Sequence, residues 1–385
     1  MTADTMGGVW TYTIDLAEAL ARHGIRVALA TMGAPPTAQQ RRQARAVMAA
    51  GVFERVFRLE WMDDPWDDLL RAGLWLLELE KLVKPDVVHL NGYCQAALPW
   101  RAPTVVVAHS CRLSWWSAVK GAPLPPRLDR YRDEVQKGLW AASAVAIPNR
   151  ATLRALEEHY GPLPHGIVIP SGRDGSHLVS AAKEPLVLCA TRVWDEGKNV
   201  AALANAAKGL PWPVFVAGDT RGPGDSEHRA ELAPARVLGP LDSTALSMWL
   251  ARAAIFALPA RYEPLGDSVL EAALAGCALV LGDIPSLRET WEGAAIFVAP
   301  DDVDGLRHAL EGLAGDPVTR NALAERGRIR AATMSATRMA DQYVEAYRLL
   351  ARARPERPQR EPSAASNGHE LQRGPARPTD GQGME

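Results

Sequence analysis

The sequence predicts an α/β protein made of two doubly wound, Rossmann-like domains facing a central cleft. Short β-branched or apolar runs alternate with longer amphipathic stretches along the whole chain, the pattern of βα units and parallel sheets. At 385 residues the chain exceeds the ~250–300 at which a single hydrophobic core stops growing. A polar stretch, Ser171–Pro185 (SGRDGSHLVSAAKEP), separates two sets of strand candidates as a linker would.

In the first set the expected strands are Arg26–Ala30, Asp86–Leu90, Thr104–Ala108, Ala144–Pro148 and Gly166–Ile169, several of them apolar on both faces as a sheet covered by helices requires. Between them the spacing predicts helices over Trp10–His23, Trp66–Leu82, Arg127–Ala142 and Ala151–His159. In the second set the strands are Leu186–Ala190, Val214–Ala217, Arg236–Leu238, Ile255–Leu258, Ala278–Leu281 and Ala295–Val298. Their helices are Asn199–Lys208, Ser243–Arg252, Ser268–Ala275, Val303–Ala314 and Met334–Ala351. The domains expected are therefore residues 1–170 and 186–334, joined by linker 171–185 and followed by a helix at 335–351. Residues 352–385, rich in Pro, Arg, Gly, Ser and Gln, have almost nothing to bury and are expected to be disordered. The loop Thr2–Gly8 reads as the turn after a first strand, yet almost no strand precedes it. The first strand of a doubly wound sheet is central, so its loss would strip ladder partners from both neighbours. The expectation is that the start codon lies upstream and that Met1 is an internal methionine.

Composition narrows the function. With 43 basic and 45 acidic residues the net charge is −2, so no global field marks a nucleic-acid binder. Cys94, Cys111, Cys189 and Cys277 show no CxxC or Cys/His ligand spacing, so neither a disulfide framework nor a zinc site is expected. No apolar run approaches the ~20 residues that span a bilayer, and the N-terminus lacks a signal-peptide layout, which predicts a cytoplasmic protein.

The sharpest motif is the segment from Arg261 to Gly276, RYEPLGDSVLEAALAG, which follows an apolar strand and opens a helix. Glu263 then sits at the strand's carboxyl end, where ligands bind in open α/β sheets. Backbone N–H groups around Gly266, Asp267, Ser268 and Val269 are left unpaired and carry the positive end of the helix dipole, a place for a diphosphate. Glu271 either closes a capping box with Ser268 or serves as a ligand; Glu263 is either a ligand or a solvated loop carboxylate. In the loop after strand Leu186–Ala190, TRVWDEGKN places Arg192 and Lys198 toward the same crevice, a guanidinium fork and a point charge for phosphate. Gly7 and Gly8 open the first helix and permit close approach of an oxyanion or merely a tight turn. His109 lies at the end of strand Thr104–Ala108, ahead of Trp115 and Trp116, where it bonds a sugar hydroxyl or phosphate or else caps the next segment, while the tryptophans stack on sugars or fill core. His89 and Asn91 are further candidates. Asp302 and Asp304 form a literal D-x-D but are placed to cap the helix at Val303, so no metal is expected.

Together these segments resemble a retaining glycosyltransferase of family four, the glycosyltransferase group 1 family, from roughly Thr2 to Leu350. The resemblance rests on two glutamates separated by seven residues, Glu263 and Glu271. It is supported by Arg192 and Lys198, by Gly218 in the VAGD loop Val216–Asp219, by Gly239, and by the N-terminal GGVWTYTIDLAEALARHG. It implies the two-domain GT-B fold with the C-terminal helix returning to the N-terminal domain. It further implies Glu263 at the donor sugar, Glu271 at the ribose, Arg192 and Lys198 on the diphosphate, and Gly7, Gly8 and His109 on the acceptor side. Leu265, in a usual aromatic place, and Asp267, in a commonly apolar or small one, depart from the pattern and bear on which sugar fits. The partners implied are a nucleotide-diphosphate sugar, as substrate with no cofactor, and a sugar or lipid-linked acceptor; no nucleic acid is expected. Two alternatives stand beside this: a nucleotide-sugar epimerase or phosphorylase of the same fold, and a non-catalytic nucleotide-sugar-binding subunit. Arg41, Arg42 and Arg45, on one predicted helix, either touch a membrane or form a solvated basic face.

Overall fold

The structure is a computed structural model that describes residues 1–352 apart from 6, 176–177 and 223–231. The expected disordered tail beyond Arg352 lies outside the described residues. In the N-terminal half the strands are β1 (Thr2–Asp4), β2 (Leu29–Met32), β3 (Val52–Glu54), β4 (Val88–Leu90), β5 (Thr104–Val107), β6 (Ala144–Ile147) and β7 (Gly166–Val168). The helices among them are α1 (Gly8–Ala21), α2 (Ala38–Val47), α3 (Trp66–Val83), α4 (Arg112–Lys120), α5 (Asp129–Ala141) and α6 (Arg150–Tyr160). The C-terminal half contributes β8 (Glu184–Ala190), β9 (Val214–Ala217), β10 (Arg236–Gly239), β11 (Ala253–Leu258), β12 (Ala278–Gly282) and β13 (Ile296–Val298). Its helices are α7 (Val200–Ala206), α8 (Ser243–Arg252), α9 (Asp267–Leu274), α10 (Pro285–Trp291), α11 (Val303–Gly315), α12 (Pro317–Ala332) and α13 (Ala336–Arg352).

All described pairings are parallel. The C-terminal sheet runs β10-β9-β8-β11-β12-β13, so strand order reverses between β8 and β11, where a crevice opens outside the carboxyl ends. Leu188, Ile255, Phe256 and Leu279 are wholly buried in its middle, as strands covered on both faces require. The N-terminal strands form two ladders, β1-β2-β3 and β4-β5-β6-β7. The three-residue β1 keeps its ladder with β2. Toward β4 the join is made by Asn91, whose backbone N–H donates to Thr2 Oγ1 (3.0 Å) and whose Nδ2 donates to the Thr2 carbonyl (2.7 Å).

Helix α13 leaves the second domain and packs on the first, with Met339, Ala340, Tyr343 and Val344 sharing a core with Tyr12, Leu16 and Leu20 of α1. Where the chain crosses back, a Cβ on Gly172 would lie 2.2 Å from the Ser335 carbonyl oxygen, and Arg173 N–H donates to Met334 O. The crossing segments are therefore packed backbone to backbone.

Several elements differ from the sequence reading. Strand β2 begins three residues later than expected, β3 was not foreseen because three residues are too few to display a period, and α4, α10 and α12 were passed over. Helix α12 begins at Pro317 with its N-cap Asp316 bonded to Val318 N and Thr319 N. Its mostly exposed sequence, with arginines and alanines interspersed, masks the helical period.

Candidate active site

The loop from β11 to α9 carries Glu263. Gly266 enters the helix with φ 78°, a left-handed conformation suited to glycine, and α9 has no side-chain cap. Glu263 turns back on this loop and accepts the Gly266 N–H at 3.0 Å. Its other oxygen accepts from Lys198 Nζ at 2.8 Å, both side chains being almost wholly buried. Burial alone would raise the Glu263 carboxyl. The Lys198 charge and hydrogen bond, the Gly266 N–H and the Arg192 charge outweigh it and hold the pKa below the ordinary carboxylate value.

Lys198 closes a 3-10 turn after β8, formed because Asp195 accepts the Gly197 N–H with its Oδ1 (2.9 Å). Asp195 Oδ2 also accepts from Arg192 Nη2 (2.8 Å), and Arg192, 46% exposed, lies over the Trp194 ring. Burial would raise Asp195, but Lys198 and Arg192, with the hydrogen bonds from Trp115 and Gly197, lower it. The β9 loop packs under this turn: Gly218 adopts φ 140°, and a Cβ there would fall 1.7 Å from the Thr191 carbonyl oxygen. Lys198 and Glu263 are thus in direct contact, and Arg192 and Gly218 belong to the same crevice.

Of the two readings of Glu271, the capping box is the one that the structure sets aside. Helix α9 starts with Gly266 as N-cap, so Ser268 and Glu271 are not a capping box. Glu271 Oε1 instead pairs with Arg173 Nη1 at 2.6 Å, and Arg173 Nε reaches Asp15 of α1 at 3.1 Å. Arg173 falls in the polar stretch that reads as a linker; its side chain is 12% exposed and ties α9 to α1. Nothing local in SGRDG marks this, since it arises only when the two domains meet. Asp267, first residue of α9, accepts from Ser171 Oγ at 2.7 Å. Burial raises its pKa to about 6, with Glu263 and Glu271 adding to the rise against Arg173 and Ser171.

The opposite wall comes from the N-terminal domain. A Cβ on Gly8 would lie 3.4 Å from Asp267 Oδ2, so the glycine loop faces the start of α9; Gly7, the N-cap of α1, has φ 68°. His109 is buried, held by Asn91 (Nε2 to Oδ1, 2.8 Å) and packed edge-on to Tyr12. The walls are joined by Tyr262 Oη accepting the Cys111 N–H (3.0 Å), Trp115 Nε1 donating to Asp195 Oδ1 (2.9 Å) and Asn149 Nδ2 donating to the Pro264 carbonyl (2.7 Å). Trp115 is therefore a bridge across the cleft, and Trp116 bonds Ala122 O and Pro123 O of its own domain. Asp302 caps α11 through Gly305 N. Of the basic row on α2, Arg41 is paired with Glu54 of β3. No helix among the described residues is long and apolar enough to cross a membrane.

Comparison with known proteins follows the same division of the chain. Residues 6–176 match the family model Glycosyltransferase Family 4, and residues 184–316 match Glycosyl transferases group 1. Glycogen synthase of Mycobacterium tuberculosis is 31% identical over 292 residues, covering 68% of this chain and 69% of the relative. O-antigen chain mannosyltransferase B of Escherichia coli is 31% identical over 294 residues, covering 76% and 65%. Among solved structures, sucrose-phosphate synthase from Thermosynechococcus elongatus has a TM-score of 0.74 at 19% identity, covering 91% of this chain and 95% of that one. Anabaena HepE in complex with UDP and glucose has a TM-score of 0.72 at 16% identity, covering 90% and 98%. At such identities the structures speak for the fold, two Rossmann-like domains around one cleft.

Proposed function

Because this chain belongs to the glycosyltransferases of Family 4 and group 1, we propose that it transfers a sugar from a nucleotide-diphosphate donor with retention of anomeric configuration, in assembly of a polysaccharide or glycolipid. The observation that carries the reading is the meeting of Lys198, Glu263 and the start of α9 at the carboxyl ends of β8 and β11, with Arg192 beside them. Breaking the anomeric C–O bond leaves an oxocarbenium-like sugar and adds negative charge to the departing diphosphate. In this reading Arg192, Lys198 and the α9 N-terminus stabilise that charge as it develops. Glu263, kept ionised, takes donor-sugar hydroxyls, and Glu271, steadied by Arg173, takes the ribose. Retention follows if the departing phosphate, on the face from which the acceptor attacks, receives the acceptor's proton. Closure of the two walls excludes water and limits hydrolysis of the donor.

The relatives bear on the donor: HepE holds UDP and glucose, which makes a nucleoside-diphosphate hexose the first donor to try. The test is product analysis with UDP-, GDP- and ADP-sugars, with and without saccharide and lipid-linked acceptors. A new glycosidic bond of the donor's anomeric configuration, formed in EDTA and only with an acceptor, is expected. Conversion of the donor sugar without any acceptor would instead identify an epimerase.

A further inference from the structure

Behind the cleft histidine lies a chain of buried polar groups that the transfer reaction itself does not call on. Asn91, just after β4, donates through Nδ2 to the Thr2 carbonyl (2.7 Å) and to Thr13 Oγ1 (3.2 Å). The Thr13 hydroxyl gives its own proton to Val9 O (2.7 Å), so its oxygen is left to accept. A carbonyl oxygen can only accept, so the Asn91 amide has one orientation, with Oδ1 facing the two histidines. His109 Nε2 lies 2.8 Å from that oxygen and His89 Nε2 lies 3.3 Å from it. Both nitrogens must therefore be N–H donors. His89 Nδ1 is then an acceptor, and Tyr347 of α13 donates to it across 2.6 Å. His109 Nδ1 is left without a proton, and among the described residues this buried atom has no hydrogen-bond partner. A buried acceptor without a donor is costly and calls for an explanation.

We propose that Asn91 is a positioning residue that locks His109 in its Nε2–H tautomer and so reserves Nδ1 as a bare acceptor for a hydroxyl of the substrate. The consequence is selective. Phosphate and carboxylate oxygens offer acceptors only, so His109 in this state cannot hold them through Nδ1, whereas a sugar hydroxyl supplies the missing proton. Protonation of the ring is opposed by burial, which pushes His109 down to about 3, so the acceptor persists at working pH. The titratable groups packed about it are Tyr12 of α1 and His89 of β4, with Tyr343 and Tyr347 of α13 behind. The relay runs from the C-terminal helix to the cleft, giving α13 a part in setting the site as well as in packing.

The lock rests on this chain's own geometry; only the identity of the ligand rests on the transferase reading. The experiment is long-range proton–nitrogen NMR of the full chain carrying 15N-labelled histidine, recorded with activity on donor and acceptor sugars and on the deoxy analogues of each. Wild-type His109 is expected to show a protonated Nε2 and an unprotonated Nδ1 throughout about pH 5 to about pH 8. Asn91→Leu is expected to mix the tautomers. It should lower kcat/KM about tenfold for the substrate, donor or acceptor, whose hydroxyl meets Nδ1, the loss of one hydrogen bond, while sparing the analogue that lacks that hydroxyl. Should Asn91→Leu fail to fold, Asn91→Asp reads the same contact: a carboxylate facing Nε2–H is expected to bring His109 titration up toward neutrality. A wild-type ring protonated at Nδ1, an unchanged tautomer in Asn91→Leu, or an unmoved titration in Asn91→Asp overturns the proposal. The predicted tautomer in a protein that transfers no sugar would leave the lock standing and remove the transferase reading.

Discussion

Arg192 and Lys198 were paired by the sequence as one clamp, but their surroundings make them different residues. Lys198 and Glu263 are buried against each other, and removing one partner of such a pair strands the other charge at a cost of about 3–5 kcal/mol. Arg192 is nearly half exposed and its partner Asp195 lies at i+3, so solvent screening leaves that pair about 0–1 kcal/mol. Lys198→Ala is therefore expected to lower both thermal stability and activity, and Arg192→Ala to lower kcat ~10²–10³-fold, as loss of one charge-stabilising donor does, with almost no change in melting temperature. Equal losses of stability in the two variants would contradict this assignment. The motif residues were legible because loop position and charge are local properties: Glu263, Lys198 and Gly218 can be read from strand–loop–helix order. Asn91 stands out in the sequence only as a further candidate, and Asp195 and Arg173 not at all as site residues, because each acts through partners distant in sequence, such as Thr2 for Asn91, Trp115 for Asp195 and Asp15 for Arg173.

At the level of elements, the start of α9 combines a positive dipole end with a buried carboxyl, Asp267. Held at a pKa of about 6 by burial, this carboxyl is largely neutral in mild acid and then adds little repulsion toward a diphosphate. A carboxyl whose pKa is higher folded than unfolded keeps its proton longer in the folded state. Stability therefore falls as pH rises from about 4 to about 6 and levels off above. The rise from 3.8 to about 6 corresponds to about 3 kcal/mol. Asp267→Asn retains an acceptor for Ser171 and cannot ionise, so melting curves across pH are expected to show a gain above pH ~6 and none near pH ~4. A variant that parallels the wild type at every pH would contradict the account. Long elements such as α3 and the two-sided strands β11 and β12 were readable from apolar period and run. The capping-box alternative at Ser268 fails because Gly266, with positive φ, starts the helix earlier than a serine-based pattern suggests.

On the scale of the molecule, the site exists only because two domains and a returning helix are held in one arrangement. Arg173 links α1 to α9, Trp115 links α4 to the Asp195 turn, and Tyr262 reaches Cys111. Two doubly wound halves were foreseeable from alternation of strand and helix, whereas the closeness of Gly8 to Asp267 depends on how the halves close, which no local pattern encodes. The central claim is that the loops after β8 and β11 gather positive charge at the start of α9 to receive a diphosphate, with the N-terminal domain closing over them. The most direct test is calorimetric titration of UDP, GDP and ADP into the wild type and into Arg192→Ala, chosen because its fold is expected to be undisturbed. The account predicts saturable binding of at least one nucleotide by the wild type and an affinity about tenfold or more weaker in the variant, the loss of a charge-assisted hydrogen bond. Equal affinity in the two proteins would contradict it.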